Sequence, residues 1–398
     1  MARGRAVSPT HSAIGNSLVV TLVPVSRQVL AVDRIVRGCG GGPVLRASRA
    51  ARRTASTEIG RVMRNKVALE EHYEMSVDEP VKAQLAESEG FKADYLDWVI
   101  ARAQDVDARV AEMDRNGIGM MILSPSPPGP EMIPDPGKAA DLARRLNDHA
   151  AQNLVAKYPD RLRAFAAVPL HDAEKGADEL ERAVRDLGFA GALINGFTNI
   201  SDTDQDEVQF LDEPQVEPFW DRVERLGVPV YLHPRPPAPA TKRIFRGYQG
   251  LNGSVWGFHV DAATHVLRLM LSGLFDRHPN VNVILGHMGE LLPFQLPRID
   301  HRLRHIRDGA HGSHREPLSY YLRHNFYITT AGVNDTPALL DTLLQIGTDR
   351  VLFSVDTPWE IAGEFAPWFD ACPISDNDRE KIGRTNAERL FGLKQPAA

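Results

Sequence analysis

Cysteine is almost absent from this chain: Cys39 and Cys372 are the only two in 398 residues. So few, so far apart, exclude a disulfide framework and a cysteine-built zinc site, and they fit a cytoplasmic protein. Long hydrophobic runs are lacking too. The longest near the start, 18–25, is broken by Thr21 and Pro24 and is far too short to span a bilayer. There is no basic excess, and a net charge of −6 argues against a nucleic-acid partner. No internal repeat is visible. What is present is an ordinary globular composition, 43% apolar and 25% charged, enough for a sizeable core.

The mild net charge hides an asymmetry. Residues 1–65 hold eleven arginines, no lysine and only Asp33 and Glu58, a charge of +9; the remainder carries 35 basic against 50 acidic residues, or −15. Residues 1–62 also contain the glycine run Gly38, Gly40, Gly41 and Gly42 and no sustained hydrophobic period. They read as a disordered or misassigned N-terminal extension, with Met63 as the natural start, because neither a transit peptide nor a signal peptide is completed by a cleavage region. Residues 63–398 then form the functional domain.

From Lys66 onward strand-like and helix-like patterns alternate. Strands are expected at 66–71, 119–124, 162–169, 190–196, 229–233, 281–287, 326–330 and 350–355, with helices such as 138–157 and 263–275 between them. Each connection must cross over and return in the same direction, which implies a parallel sheet. Eight such units in about 330 residues match a single (β/α)8 TIM barrel in the α/β class. An open doubly wound sheet would carry a glycine-rich phosphate turn after its first strand. That position here reads EEHYEM.

Four strand ends carry chemistry: Glu70 and His72 in VALEEH, His233 in VYLHPR, His287 and Glu290 in VILGHMGE, and Asp356 in VLFSVDTPWE. Alternate residues of a strand share a face, so Glu70 and His72 can reach one point while Glu71 turns into the wall. If the strand ends meet at one mouth, Glu70, His72, His233 and Asp356 offer oxygen and nitrogen ligands to a divalent ion. His287 is either a fourth ligand or an acid–base group, with Glu290 holding its other ring nitrogen. Arg235 either contacts a substrate carboxylate or is solvated or ion-paired. The other histidines, His259, His265, His301 and His305 among them, show no comparable placement.

The segments VALEEHYEM, RLRAFAAVPLHD, LGFAGALINGF, VYLHPRPP, LRLMLSGLFDRHPNVNVILGHMGE, FYITTAG, FSVDTPWE and KIGRTNAERLFGL resemble the hydroxybenzoate decarboxylase branch of the amidohydrolase superfamily, in order, from about Lys66 to Leu393. The resemblance implies one Mn2+ or Zn2+ ion held at Glu70, His72, His233 and Asp356, no organic cofactor, and a catalytic His287 working with Glu290. It further implies non-oxidative decarboxylation of a benzoic acid bearing an ortho hydroxyl, with Asp356 as proton donor, in a homodimer or homotetramer. Two departures put the substrate in question. Thr357 stands where relatives commonly carry an aromatic residue, and 124–128 reads SPSPP where an Asn-Ala-Pro type sequence is usual.

The rival function is metal-dependent hydrolysis of an amide, ester or lactone. Hydrolytic relatives more often open with His-x-His and use a second metal or a bridging lysine, and neither feature is evident here.

Overall fold

The computed structural model describes residues 62–75, 90–127, 129–307, 310 and 312–393. The chain divides into two units, 1–57 and 58–398, and all described residues fall in the second. The reading of 1–62 as an extension therefore lies outside the described residues, save for Val62.

All eight expected strands form. They are β1 (Lys66–Tyr73), β2 (Ile118–Pro125), β3 (Leu162–Ala164), β4 (Ala192–Asn195), β5 (Val230–His233), β6 (Val283–Leu285), β7 (Phe326–Thr329) and β8 (Val351–Leu352). Every neighbouring pair is parallel: β1 to β3 form one ladder, and β4 to β8 another. Two single parallel bridges, Ala166 with Ala192 and Glu71 with Thr357, join the two ladders at both edges and close the barrel. Several strands are shorter than expected. Beyond Ala164 single cross-strand backbone bonds continue, with Phe165 N donating to the Leu123 carbonyl and Ala166 N to the Gly191 carbonyl, and beyond Leu352 side-chain bonds join in, as where Thr330 Oγ1 donates to the Ser354 carbonyl.

Alternation along the strands sorts the side chains. Val67, Leu69, Ile122, Phe165, Leu193, Tyr231, Ile284, Tyr327 and Leu352, from seven of the strands and from the residue just past β3, form one buried cluster that fills the barrel. Their neighbours, such as Ala68, Met121, Ala164, Ile194, Leu232, Leu285, Ile328 and Val351, pack outward with the helices into a second, larger cluster. Among the helices, Pro136–His149 starts ahead of the expected 138 because the Asp135 side chain accepts from Lys138 N and Pro136 fits the first turn; it continues into a π-helical turn, Ala150–Val155. The acidic stretch 202–218 follows β4 and contains the second strand of a small antiparallel ribbon, Thr198–Asn199 with Val208–Gln209. Among the described residues no helix is long and apolar enough to cross a membrane.

Phe165 is fully buried in the plug, with its ring 5.8 Å from that of Tyr231 and 5.9 Å from that of Phe391. Phe165→Ala is expected to cost about 3–5 kcal/mol, read as a lower denaturant midpoint in urea unfolding.

Candidate active site

Strand parity alone would set Glu70 opposite Leu69, yet both face inward. The pairing of β1 with β2 shifts register between Ala68 and Glu71, a bulge that rephases the strand. Its two freed amides, Leu69 N and Glu70 N, both donate to Ser354 Oγ, at 3.1 and 2.8 Å. Val67 and Leu69 can therefore fill the barrel while Glu70 and His72 reach the mouth.

Glu71 holds the seam between β1 and the end of β8. Its Oε1 accepts from Ser354 Oγ at 3.1 Å and Val355 N at 3.0 Å, and its Oε2 from Thr357 N at 3.2 Å and from Thr357 Oγ1. Arg109 adds a bond to Thr357 Oγ1 at 2.9 Å and another to the His72 carbonyl. Burial pushes the Glu71 carboxyl up to about 7 against these donors and the Arg109 charge. Thr357, one of the departures from the decarboxylase pattern, is thus part of the latch that carries Asp356.

The structure brings the sequence candidates together. Glu70 Oε1 lies 3.2 Å from His233 Nε2 and 3.6 Å from His287 Nε2. Asp356 splits its oxygens: Oδ1 is 3.4 Å from His72 Nε2, and Oδ2 is 3.6 Å from His287 Nε2. Ligand atoms of Glu70, His72 and His233 lie within 4.8 Å of one another, as do those of Glu70, His287 and Asp356. Glu70 Oε1, His72 Nε2 and Asp356 Oδ1 are buried and have no hydrogen-bond partner. Buried carboxylate oxygens and an imidazole nitrogen converging without donors fit a divalent cation. The supports are in place: Ser124 Oγ meets His72 Nδ1 at 3.0 Å, leaving Nε2 for the centre, and Tyr231 OH donates to Glu70 Oε2 while contacting Thr329 Oγ1 at 3.0 Å. Burial opposes it, but His287, His233 and His72 hold Glu70 well below the ordinary carboxylate value.

His287 is set by an unusual turn. Residues 287–291 all have positive φ, from 50° to 80°, and four of them are not glycine; Asp356 has φ 85°. Each such residue costs roughly 1–2 kcal/mol, a strain that collects at functional positions. The turn places Glu290 Oε1 2.7 Å from His287 Nδ1, as expected from the sequence. Burial works against protonation, yet Glu290 and Glu70 hold the His287 imidazole well above its ordinary value. Two glycines make room: a Cβ at Gly286 would sit 2.6 Å from Glu70 Oε2, and one at Gly332 would sit 2.7 Å from His287 Cδ2.

Arg235 is not solvated and forms no close ion pair among the described residues. It is buried, with Nη1 donating to the Phe197 carbonyl at 2.6 Å and its guanidinium carbon 4.0 Å over the Phe197 ring. His301 and His305 meet edge to face with their rings 5.1 Å apart and join no potential metal group among the described residues. His265 is buried and accepts from Leu211 N at 3.0 Å.

Sequence reasoning missed two partners. Tyr231 lies two residues before His233 on the same strand face, so parity could have found it. His259 contradicts its grouping with the unplaced histidines: its Nδ1 meets Glu290 Oε2, opposite His287. It comes from a helix, Gly257–Leu271, and no local pattern marks it.

Both Glu71 oxygens only accept, so either orientation of a glutamine amide would turn its NH2 against the N–H of Val355 or of Thr357. Glu71→Gln is expected to destabilise the protein by about 1–3 kcal/mol, measured as a lower urea midpoint with an unchanged slope.

The family described as Amidohydrolase matches residues 73–393. The γ-resorcylate decarboxylase of Rhizobium sp. (strain MTP-10005) is 47% identical over 333 residues, covering 83% of this chain and 99% of that protein. A crystal structure of 2,6-dihydroxybenzoate decarboxylase complexed with 2,6-dihydroxybenzoate is 46% identical with a TM-score of 0.78, covering 83% of this chain and 100% of that one. A dihydroxybenzoic acid decarboxylase from Polaromonas sp. JS666, with bound manganese and the inhibitor 2-nitroresorcinol, is 44% identical with the same TM-score, covering 84% and 98%. With its closed barrel and its carboxylate–imidazole mouth, the chain belongs to the amidohydrolase family, in the branch that holds the hydroxybenzoate decarboxylases.

Proposed function

We propose that this protein is a divalent-metal-dependent carboxy-lyase that removes CO2 from an ortho-hydroxylated benzoic acid of the dihydroxybenzoate or salicylate type and leaves a phenol. The observation that carries the reading is a pair of potential metal groups that share Glu70, one with His72 and His233 and one with His287 and Asp356, with orphaned ligand atoms on Glu70, His72 and Asp356, beside the His287–Glu290 hydrogen bond. The relatives described above support the choice of reaction over hydrolysis.

Glu70, His72, His233 and Asp356 are assigned as the metal ligands. Those four residues would hold a divalent ion such as Mn2+ or Zn2+, which would supply Lewis-acid charge for an anionic aromatic substrate. No organic cofactor is required. Direct loss of CO2 would leave an aryl carbanion, so the ring carbon has to gain a proton before the carbon–carbon bond breaks. Asp356 is assigned as the donor, its Oδ2 lying on the side away from His72. His287, with Nδ1 tied to Glu290, presents Nε2 toward Asp356 Oδ2 and holds the proton that re-arms it. Arg235 is assigned to the substrate side; its Nε has no hydrogen-bond partner in the protein. The ring of Trp359 packs 5.5 Å from Phe91 and 6.2 Å from Tyr95, three residues beyond Asp356, and this aromatic cluster is the natural wall for a planar substrate. The same reading carries a cytoplasmic homodimer or homotetramer acting on a small aromatic acid. It also assigns the activity to 63–398, with 1–62 a disordered or misassigned extension.

The enzyme loaded with Mn2+ is expected to release CO2 from 2,6-dihydroxybenzoate, 2,3-dihydroxybenzoate or salicylate, followed by loss of ultraviolet absorbance. Glu70→Ala, Asp356→Asn or chelation should remove at least about 100-fold of the rate, the scale on which positioned acid–base groups act. Turnover of an amide or lactone without CO2 would establish the hydrolase instead. A chain begun at Met63 is expected to keep the turnover rate of the full chain; a loss of activity on truncation would assign residues 1–62 a working role.

A further inference from the structure

One buried carboxylate serves neither the seam nor a histidine. Glu131 comes from the short turn Pro130–Met132 that follows β2, and both its oxygens go to one residue at the end of β4: Oε1 accepts from Asn195 N at 2.9 Å and Oε2 from Asn195 Nδ2 at 3.4 Å. A glycine leaves room for this contact, since a Cβ at Gly129 would collide with Glu131 Oε2 and sit 2.6 Å from Asn195 Nδ2. Asn195 is the ladder partner of His233, and two residues before them Leu193 and Tyr231 belong to the cluster that fills the barrel. Alternation returns Asn195 and His233 to that inner face, one layer nearer the mouth, so the amide stands beside an assigned metal ligand. Asn195 Oδ1 is buried and has no hydrogen-bond partner among the described residues; the same holds for His233 Nδ1. An ionised carboxylate only accepts, so Glu131 fixes which way the amide turns, with its NH2 toward Glu131 and its carbonyl oxygen away.

We propose that Glu131 is a positioning residue for substrate choice: it holds Asn195 so that Oδ1 accepts a hydrogen bond from a second ring hydroxyl of the aromatic acid, in addition to the ortho hydroxyl of the substrate class proposed above. The inference rests on that reading of the reaction. A fixed acceptor selects a ligand with a hydrogen to donate. Salicylate has no second hydroxyl and leaves the carbonyl unpaired in a buried place, which costs binding. A methoxy group at the same ring position sets its lone pairs against those of Oδ1 and is rejected more strongly than its size alone requires.

The test turns the amide around. In Glu131→Gln the backbone N–H of Asn195 keeps the glutamine carbonyl on its side, so the glutamine NH2 faces the Asn195 side chain, draws its carbonyl oxygen over, and leaves Nδ2 toward the mouth. With the Mn2+ enzyme, kcat/KM is measured for salicylate, for the dihydroxybenzoates that keep an ortho hydroxyl, and for the best of these with its second hydroxyl methylated. The wild-type enzyme is expected to prefer that dihydroxybenzoate to salicylate and to the methyl ether by about 10- to 100-fold. Glu131→Gln is expected to bring the preference over the ether to parity or reverse it, because the amide now donates; Asn195→Ala should leave a preference of no more than about threefold. Damage to the fold, or loss of a contact that serves His233, lowers every acid together. Ratios unchanged in both variants therefore overturn the inference, and so does a wild-type enzyme that takes the methyl ether as readily as the parent acid, a comparison that needs no variant to fold. Release of no CO2 from any hydroxybenzoate overturns the reaction instead, and the inhibition constants of the same acids then decide the preference.

Discussion

The site depends on one seam. Eight parallel strands close only if the last meets the first, and here the closing contact consists of a single bridge, Glu71 with Thr357, together with the bonds of one buried carboxylate and one serine hydroxyl. The bulge in β1 turns this economy to use. It releases two amides to Ser354 and lets Glu71 bind the end of β8, while Glu70 and His72 swing to the mouth. The same residues thus finish the barrel and set three of the four assigned ligands against one another.

Such a mouth is electrostatically costly. Glu70, Glu71 and Glu290 are buried carboxylates within a few residues of each other in space or sequence, and isolated ions in that setting would neutralise. Each is answered differently. Glu71 is surrounded by donors from backbone and hydroxyls, Glu290 is shared by two imidazoles, and Glu70 keeps one oxygen on Tyr231 and aims the other at His233 and His287. The strained backbone from His287 to Leu291 is the conformational counterpart of this arrangement. It is held by the packing around it, with Met288, Leu292 and Ile328 buried.

Much of this was legible from residue order. Eight apolar runs alternating with amphipathic ones specify the barrel, since parallel strands covered on both faces must be apolar and must be joined by crossovers. The candidate ligands could be proposed together because strand ends of a parallel barrel share one face, so Glu70, His72, His233 and Asp356 needed no distance information to be grouped. Glu290 could be read beside His287 because the two lie three positions apart in a glycine-containing turn. The strand lengths were less legible, because an apolar run such as 162–169 does not mark where its ladder ends, and only Leu162–Ala164 pairs as a strand.

The sequence by itself determined the fold class, the metal-binding character of the mouth and the pairing of His287 with Glu290, because each follows from local periodicity and from chain direction. The tertiary structure alone decided the bulge that reconciles Leu69 with Glu70, the role of Glu71 and Thr357 as a latch, the burial of Arg235 against Phe197, and the arrival of His259 on Glu290. These are contacts between elements tens to hundreds of residues apart, whose partners are chosen by how helices and strand ends pack. No spacing within a single segment encodes that choice.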